Sequence, residues 1–421
     1  MARQMKDSGV EWIGEIPEEW DILPAKRMFC NSGETKKADD VQLTASQQYG
    51  IISQSDYMAL TGSRVVLATQ DLEKWKHVEP QDFIISLRSF QGGLEMSKVS
   101  GCITWHYVVL RSCHKGINAR FYKWLFKSSE YITALQRTCN YIRDGQDLRY
   151  SNFEQVPLFL PKEEEQENIA NILDTKCAEI DKVVEQTRAT IEEYKKLKQA
   201  IITEAVTKGV RGPRPLKPSG VEWIGDIPEE WEVRKVSQFW KANKGPNAAQ
   251  LTAEYCGNHP GAYPVYSGQT ENNGVMGMID TYSFDFGARG CLFSTTVGAK
   301  AMTVSCLYNK FSLSQNCMIM QPLSEKCDVR YYFYLFAFIF GYFRSLIPDY
   351  MQPSFRVKDF LSYCMLLPSV IEQQEIAAYL DAKCAEIDRI IEKKEQLIEE
   401  LGSYKKSLIY EYVTGKKEVT A

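Results

Sequence analysis

Two stretches of the chain carry a helical hydrophobic pattern far longer than anything around them. In the first, Leu173, Cys177, Ile180, Val184, Thr187, Ile191, Tyr194 and Ile201 follow an alternating four-and-three spacing, interrupted only by Lys198. In the second, the spacing runs through Leu380, Cys384, Ile387, Ile391, Ile398, Leu401 and Leu408, with Lys394 and Lys405 interrupting. That spacing gathers the apolar side chains on one seam of a helix and predicts coiled-coil-like pairing. Pro161 and Pro368 suit a first helical turn, and the acidic residues after them suit the positive end of the helix dipole. Gly209 and the segment Gly212-Pro-Arg-Pro-Leu-Lys-Pro218 end the first helix and predict a stiff linker. A helix of about 45 residues spans about 68 Å.

Outside the helices the pattern is shorter and mixed, which predicts two α+β modules. Residues 82–87 and 103–110 read as strands and 120–126 as helix. In the second module, residues 290–296, 301–307 and 316–321 read as strands and 330–336 as helix. Leu148-Arg-Tyr-Ser-Asn-Phe153 aligns with Phe355-Arg-Val-Lys-Asp-Phe360, and each leads through a strand into the proline that opens a long helix.

The chain repeats itself. Residues 8–20 read SGVEWIGEIPEEW and residues 219–231 read SGVEWIGDIPEEW, differing only at Glu15 and Asp226. Leu173-Asp-Thr-Lys-Cys-Ala-Glu-Ile-Asp181 recurs as Leu380-Asp-Ala-Lys-Cys-Ala-Glu-Ile-Asp388, with Pro161 aligned to Pro368, Gln166 to Gln373, Ile191 to Ile398 and Glu204 to Glu411. The offsets are 211 and 207, so the order is module, helix, module, helix. The segments 30–150 and 241–350 share little. Constant framing implies a shared task such as docking or spacing, and divergent filling implies two different contacts. Two similar helices in one chain favour pairing with each other over a homodimeric coiled coil, because the tether raises their effective concentration.

Charge alters the picture only once it is located. The net charge of −4 is unlike a typical nucleic-acid binder. However, residues 161–208 carry −3 and residues 368–415 carry −4, so the rest of the chain is mildly basic at +3. There is no run of about 18 apolar residues and no signal core after Met1-Ala-Arg-Gln-Met-Lys-Asp. Twelve cysteines without a Cys-x-x-Cys pair, and only four histidines, point to free thiols in a reducing cytoplasm and away from a structural zinc site.

No phosphate loop is present: Val297-Gly-Ala-Lys300 lacks the upstream glycine and the following hydroxyl. No Asn/Asp-Pro-Pro-Tyr/Phe methyltransferase motif, nucleophile elbow or His-Glu-x-x-His occurs, and Glu163–Glu165 reads as helix capping and solvation. The informative residues are polar and lie in loops. In the first module Arg88, Gln91, Lys98, Arg143, Gln146 and Arg149 are the candidates, and in the second Gln269, Asn272, Asn273, Lys300, Gln315 and Arg356. Arginine and lysine bond guanine edges, amides bond adenine edges, and cations and hydroxyls hold phosphates. Arg149 and Arg356 occupy equivalent places, which suits a sequence-independent phosphate contact or a packing role at the helix base. Gln91, Gln146, Gln269 and Asn272 lie in unmatched loops and suit base edges. Asn273-Gly274 also reads as a hairpin turn and Gly92-Gly93 as a tight loop.

The doubled framing motif, the variable segments and the Leu-Pro lead into a Gln-x-x-Ile-Ala helix resemble the specificity subunit of type I restriction–modification systems. Tyr263-Pro-Val-Tyr-Ser-Gly-Gln-Thr-Glu-Asn-Asn-Gly274 and Ser89-Phe-Gln-Gly-Gly-Leu94 are similar to pieces of its target-recognition domains, and the resemblance covers essentially the whole chain. It implies a pseudo-two-fold α+β architecture of two tandem target-recognition domains separated by two long antiparallel coiled-coil helices. The expected segments are a recognition domain at 1–160, a spacer helix at 161–209, a linker and second recognition domain at 210–367, a second spacer helix at 368–415 and a tail at 416–421. It further implies a non-catalytic prokaryotic cytoplasmic subunit that reads a bipartite, asymmetric target in double-stranded DNA. Two modification subunits using S-adenosylmethionine to methylate adenine, and motor-nuclease restriction subunits using ATP and magnesium, are the expected partners. No cofactor or metal is expected in this chain itself. Two other classes stay open here. A nuclease with an unrecognised site would show metal-dependent cleavage, and a coiled-coil scaffold would show no sequence-dependent DNA retention.

Overall fold

The computed structural model describes residues 3–46, 48–63, 71–86, 93–138, 148–269, 272–298, 301–348 and 350–419. The chain forms two units, one of Met1–Arg188 with Glu395–Ala421 and one of Ala189–Lys394. The seams produce two long helices, Glu163–Lys208 and Val370–Val413, and each unit takes part of both.

In the first unit Leu173, Cys177 and Ile180 share a core with Leu408, Ile409 and Val413. Lys405 pairs with Asp181 at 2.6 Å. Farther along, Gly415 rests on Pro17 and Trp20, and the Trp20 indole N–H donates to Glu165 Oε2 at 2.8 Å. One helix therefore advances from 165 to 181 while its partner runs back toward 405, which makes the pair antiparallel. The second unit repeats this, with Lys198 on Asp388 at 2.7 Å and Arg211 on Glu375 at 2.6 Å. Two of the three lysines that break the apolar seams, Lys198 and Lys405, thus have aspartate partners across the helix pair, and the third, Lys394, lies over the Tyr194 ring. These pairs are too exposed to add much stability, but polar residues at seam positions fix register and direction. The first long helix ends at Gly209 with a φ of 79°, the left-handed cap that glycine adopts freely.

Three locks join each module to its helices, and they account for the repeated residues. The first is a buried glutamine. Gln166 Oε1 accepts the Asn118 backbone N–H at 2.8 Å, and its amide donates to the Gly116 and Pro161 carbonyls at 2.9 and 2.8 Å. Gln373 makes the same three bonds to Asp328, Lys326 and Pro368. The second lock is an aspartate near the start of the repeated helix segment. Asp174 accepts from Arg120, Lys123 and the Trp124 indole, and Asp381 from Arg330 and the Tyr334 hydroxyl. Burial alone would raise the Asp174 carboxyl, but Lys123 and Arg120 outweigh it and hold the group below its ordinary value. The third lock is the framing tryptophan: Trp20 bonds Glu165 and Trp231 bonds Glu372, with Arg3 and Arg214 over the rings. Glu165 is therefore held by protein partners, which corrects its reading as a solvated capping residue.

The modules differ beyond this scaffold. The first centres on a four-stranded antiparallel sheet ordered Phe29–Asn31, Val108–Ser112, Phe83–Ile85, Glu95–Met96. The helix Ala119–Leu125 packs against it through edge-on contacts of Phe29 with Tyr122 and Phe126. Gly93 lies so close to the Phe126 carbonyl that any side chain there would collide with it. The second module has a matching sheet ordered Trp240–Asn243, Cys317–Pro322, Cys291–Thr295, Ser305–Leu307. It adds another four-stranded sheet, Val275–Ile279, Pro260–Tyr266, Lys310–Leu313, Phe284–Asp285. The first module has instead the hairpin of Leu43–Ser46 with Gly50–Ser53 and the helix Gln54–Thr61.

Two expected strands are corrected. The run 103–110 is two strands, Gly101–Ile103 and Val108–Ser112, parted by a turn in which the Tyr107 N–H donates to Thr104 O. No glycine or proline marks that turn. The run 301–307 is a strand only over Ser305–Leu307, because Met302 adopts a left-handed φ of 65°. The expected helix at 330–336 is longer, Val329–Ser345. Among the described residues, no helix is long and apolar enough to cross a membrane. All described cysteines carry free thiols.

Candidate nucleic-acid interface

The candidate residues of the second unit gather along one chain of contacts. Pro260–Tyr266 and Val275–Ile279 pair antiparallel, and the turn between them carries Gln269, Asn272 and Asn273. Asn272 and Asn273 are exposed with left-handed φ values of 49° and 54°, so they build the turn and also project from it. Gln269 is half-buried, and its amide donates to the Val275 carbonyl, bracing the hairpin. Gly268 lies against Thr295. The Ser314 N–H donates to Tyr266 O, which sets the exposed Gln315 loop beside the hairpin. The Thr296 N–H donates to Asn316 O at 2.8 Å, and Phe355 N–H to Thr296 O at 2.7 Å, which ties the segment before Arg356 to the same strand end.

Arg149 and Arg356 cap the short helices Tyr150–Phe153 and Val357–Ser362. Each backbone N–H is held by the side chain three residues on, Asn152 Oδ1 at 3.0 Å and Asp359 Oδ2 at 2.9 Å. Both residues are exposed, at the starts of these short helices on a fixed backbone. Lys98 is exposed beside Ser97, whose hydroxyl donates to Val99 O. Arg88, Gln91, Arg143, Gln146 and Lys300 lie outside the described residues.

Sequence reasoning missed two further cations. Lys244 and Lys358 line a cavity of about 420 Å³ together with Arg356, Thr296, Asn316 and Ser354. Lys358 lies in a repeated segment but is matched there by Ser151, and Lys244 belongs to no quoted motif, so only the folded chain shows that they converge.

One group of ligand-type residues assembles among the described residues, Glu34, His77 and Glu79 in the first unit. Its centre already holds a cation. Lys37 Nζ lies 2.7 Å from His77 Nε2 and 2.9 Å from Glu79 Oε1, and Asp40 lies 2.8 Å from His77 Nδ1. Burial works against charge on the ring, yet hydrogen bonds to Glu79 and Asp40 outweigh it and hold His77 above its ordinary value. Those from His77 and Lys37 draw Glu79 down to about 2. The cluster reads as an internal charge network.

The family model described as the type I restriction modification DNA specificity domain matches this chain twice, over residues 17–193 and 228–400. The chain belongs to the type I restriction–modification DNA specificity family. Each match takes in one module and most of the helix that follows. Among relatives, a type I restriction enzyme specificity subunit of Methanocaldococcus jannaschii, MjaX, is 22% identical over 436 residues, covering 97% of this chain and 96% of its own. The MjaVIII specificity subunit of the same organism is 26% identical over 303 residues, 63% of each chain. The fold is shared with a chain from a structure on complex assembly and conformational transition of the type I R-M system. It has a TM-score of 0.69 at 12% identity and covers 96% of this chain and 99% of that one. The HsdS subunit from Thermoanaerobacter tengcongensis gives 0.52 at 11% identity, covering 96% and 98%. This specificity subunit therefore has a DNA-recognition function, and neither the scaffold nor the nuclease alternative gains support.

Proposed function

We propose that this specificity subunit reads a bipartite, asymmetric DNA target, one half through each module, and directs partner subunits to it. The observation that carries the reading is the contrast inside each unit. The same glutamine, aspartate and tryptophan locks hold both modules to the helices, whereas the surfaces beyond the locks differ in sheet, hairpin and loop. Identical mounting with unlike readers suits two unlike half-sites. In this reading residues 1–160 and 210–367 are the recognition domains, and residues 161–209 and 368–415 are the spacer helices. The exposed amides Asn272, Asn273 and Gln315 suit base edges, and Lys98, Arg149 and Arg356 suit phosphates.

The framing motif also supports partner docking. Glu11, Glu15, Glu18 and Glu19 are exposed, and so are their counterparts Glu222, Asp226, Glu229 and Glu230. Glu19 and Glu230 pair with Arg3 and Arg214 beside the tryptophan locks, and Glu11 pairs with Arg137, whereas packing does not require acidic side chains at Glu15, Glu18, Asp226 and Glu229, where a shared outer task accounts for their identity. We assign it to two copies of a modification subunit, which would supply S-adenosylmethionine chemistry at adenine. Restriction subunits would add ATP- and magnesium-dependent cleavage. This chain contributes recognition and positioning, without a catalytic group of its own.

The test is to replace residues 21–150 with the matching segment of another family member and map methylated adenines in cells. One half of the target is expected to change while the other half stays the same. Unchanged sites, or changes in both halves, would refute two independent readers.

A further inference from the structure

We propose that Lys244, Arg356 and Lys358 form a phosphate anchor in the second unit, a pocket that takes one backbone phosphodiester of the half-site this unit reads. The inference rests on the DNA-reading assignment above and identifies the chemical group that one part of the surface holds. The three cations line a single cavity, and among the described residues no carboxylate lines it with them. Like charges brought together on a shared wall repel, and a bound anion turns that repulsion into attraction. The walls are fixed by backbone bonds. Thr296 N–H donates to Asn316 O, Phe355 N–H donates to Thr296 O, and Val297 bridges Ser354. Asp359, the nearest carboxylate in sequence, accepts the Arg356 backbone N–H.

The neighbourhood says which anion. Asn316 follows the exposed Gln315, and Thr296 follows the Thr295 on which the amide hairpin rests. An anion in this pocket therefore sits beside amide side chains suited to base edges. A polynucleotide offers that pairing of charged backbone and adjacent hydrogen-bonding edges. The anchor is also specific to one unit. At the offset of 211 Lys244 corresponds to Gly33, and at the offset of 207 Lys358 corresponds to Ser151 and Arg356 to Arg149, so of the three cations the arginine is the one repeated at these offsets.

The test uses the full chain with its modification subunits and target duplexes carrying a single neutral methylphosphonate, moved phosphate by phosphate through the half-site. One position is expected at which neutralisation weakens wild-type binding about tenfold. The double variant Lys244→Gln, Lys358→Gln should lose a similar factor on unmodified DNA, lower the salt slope by about one unit, and respond no further to that methylphosphonate. Lys244→Arg with Lys358→Arg should retain the coupling. The anchor is overturned if sequence-dependent binding persists but no phosphate couples to the lysines. It is equally overturned if the glutamine variants melt earlier with an unchanged salt slope, which marks a structural role. Protection of the lysines from acetylation by inorganic phosphate alone, with no coupled DNA position, would assign the pocket to a free anion and also overturn it. If the wild-type chain retains no DNA of any sequence, the DNA-reading assignment itself falls.

Discussion

His77 is nearly inaccessible to solvent and is held between charges of both signs, Asp40 at one ring nitrogen and Glu79 and Lys37 at the other. Its pKa is raised in the folded chain, with the carboxylate hydrogen bonds outweighing burial and the Lys37 charge. A raised value means that protonation favours the fold. The stabilisation is complete below the unfolded value of about 6.5 and is lost as pH rises through the higher folded value. The melting temperature of the wild type should therefore exceed that of His77→Gln most below pH 6, with the difference shrinking as pH rises toward 9. A difference constant across that range would show that the ring acts by shape alone. None of this network was legible in the sequence, because Lys37, Asp40 and His77 meet through non-local pairing. Asn273 was legible, since Asn-Gly between apolar runs states its own turn chemistry. Lys244 and Lys358 were not, because a lone surface lysine carries no sequence signal until folding places it beside another.

At the scale of elements, the buried glutamine decides how a module meets its helix. Gln166 is fully buried and satisfies one backbone N–H and two backbone carbonyls from three separate positions. Gln166→Ala would leave those groups without their partner, at about 1–3 kcal/mol for each group that water cannot reach. A total loss of roughly 2–4 kcal/mol is expected in the stability of the first unit. Hydrogen exchange should show this as faster exchange at Asn118, with the Gln373 lock of the second unit still protected. Equal loosening of both units, or no change at Asn118, would mean that the glutamine is not the fastener. The pairing of Gln166 with Gln373 was visible as a repeat, and the long helices were visible as seams, because a 3.6-residue period sustained over many turns leaves a strong trace. Strands of three to five residues leave little. The turn at Thr104–Tyr107 interrupts an apolar run without glycine or proline, and the left-handed Met302 breaks another, so both boundaries came from tertiary pairing.

For the whole molecule, the repeat offsets of 211 and 207 already told of two modules and two helices. What they could not convey is that each unit draws on both helices, since that depends on the Asp181–Lys405 and Lys198–Asp388 pairs. In the proposed function the helices set the unread gap between half-sites, and this can be tested by lengthening both together. Seven residues inserted after Arg188 and seven after Lys394 fall where the two units meet in sequence. They leave the locks and both lysine–aspartate pairs untouched. A heptad adds about 10 Å to each helix and drifts the seam by only about 20°, so pairing should survive. Ten ångströms matches about three base pairs at 3.4 Å each. Those base pairs also turn the duplex by about 100°, since a helical turn takes roughly 10.5 of them, and the insertion does not supply that rotation. The expected outcome is therefore a preferred gap about three base pairs longer, read with the same two half-sites at reduced affinity. Methylated-adenine mapping reports the gap, and binding to duplexes of graded spacing reports the affinity. If the preferred gap stays at the wild-type length while both half-sites are still read, the helices do not measure it.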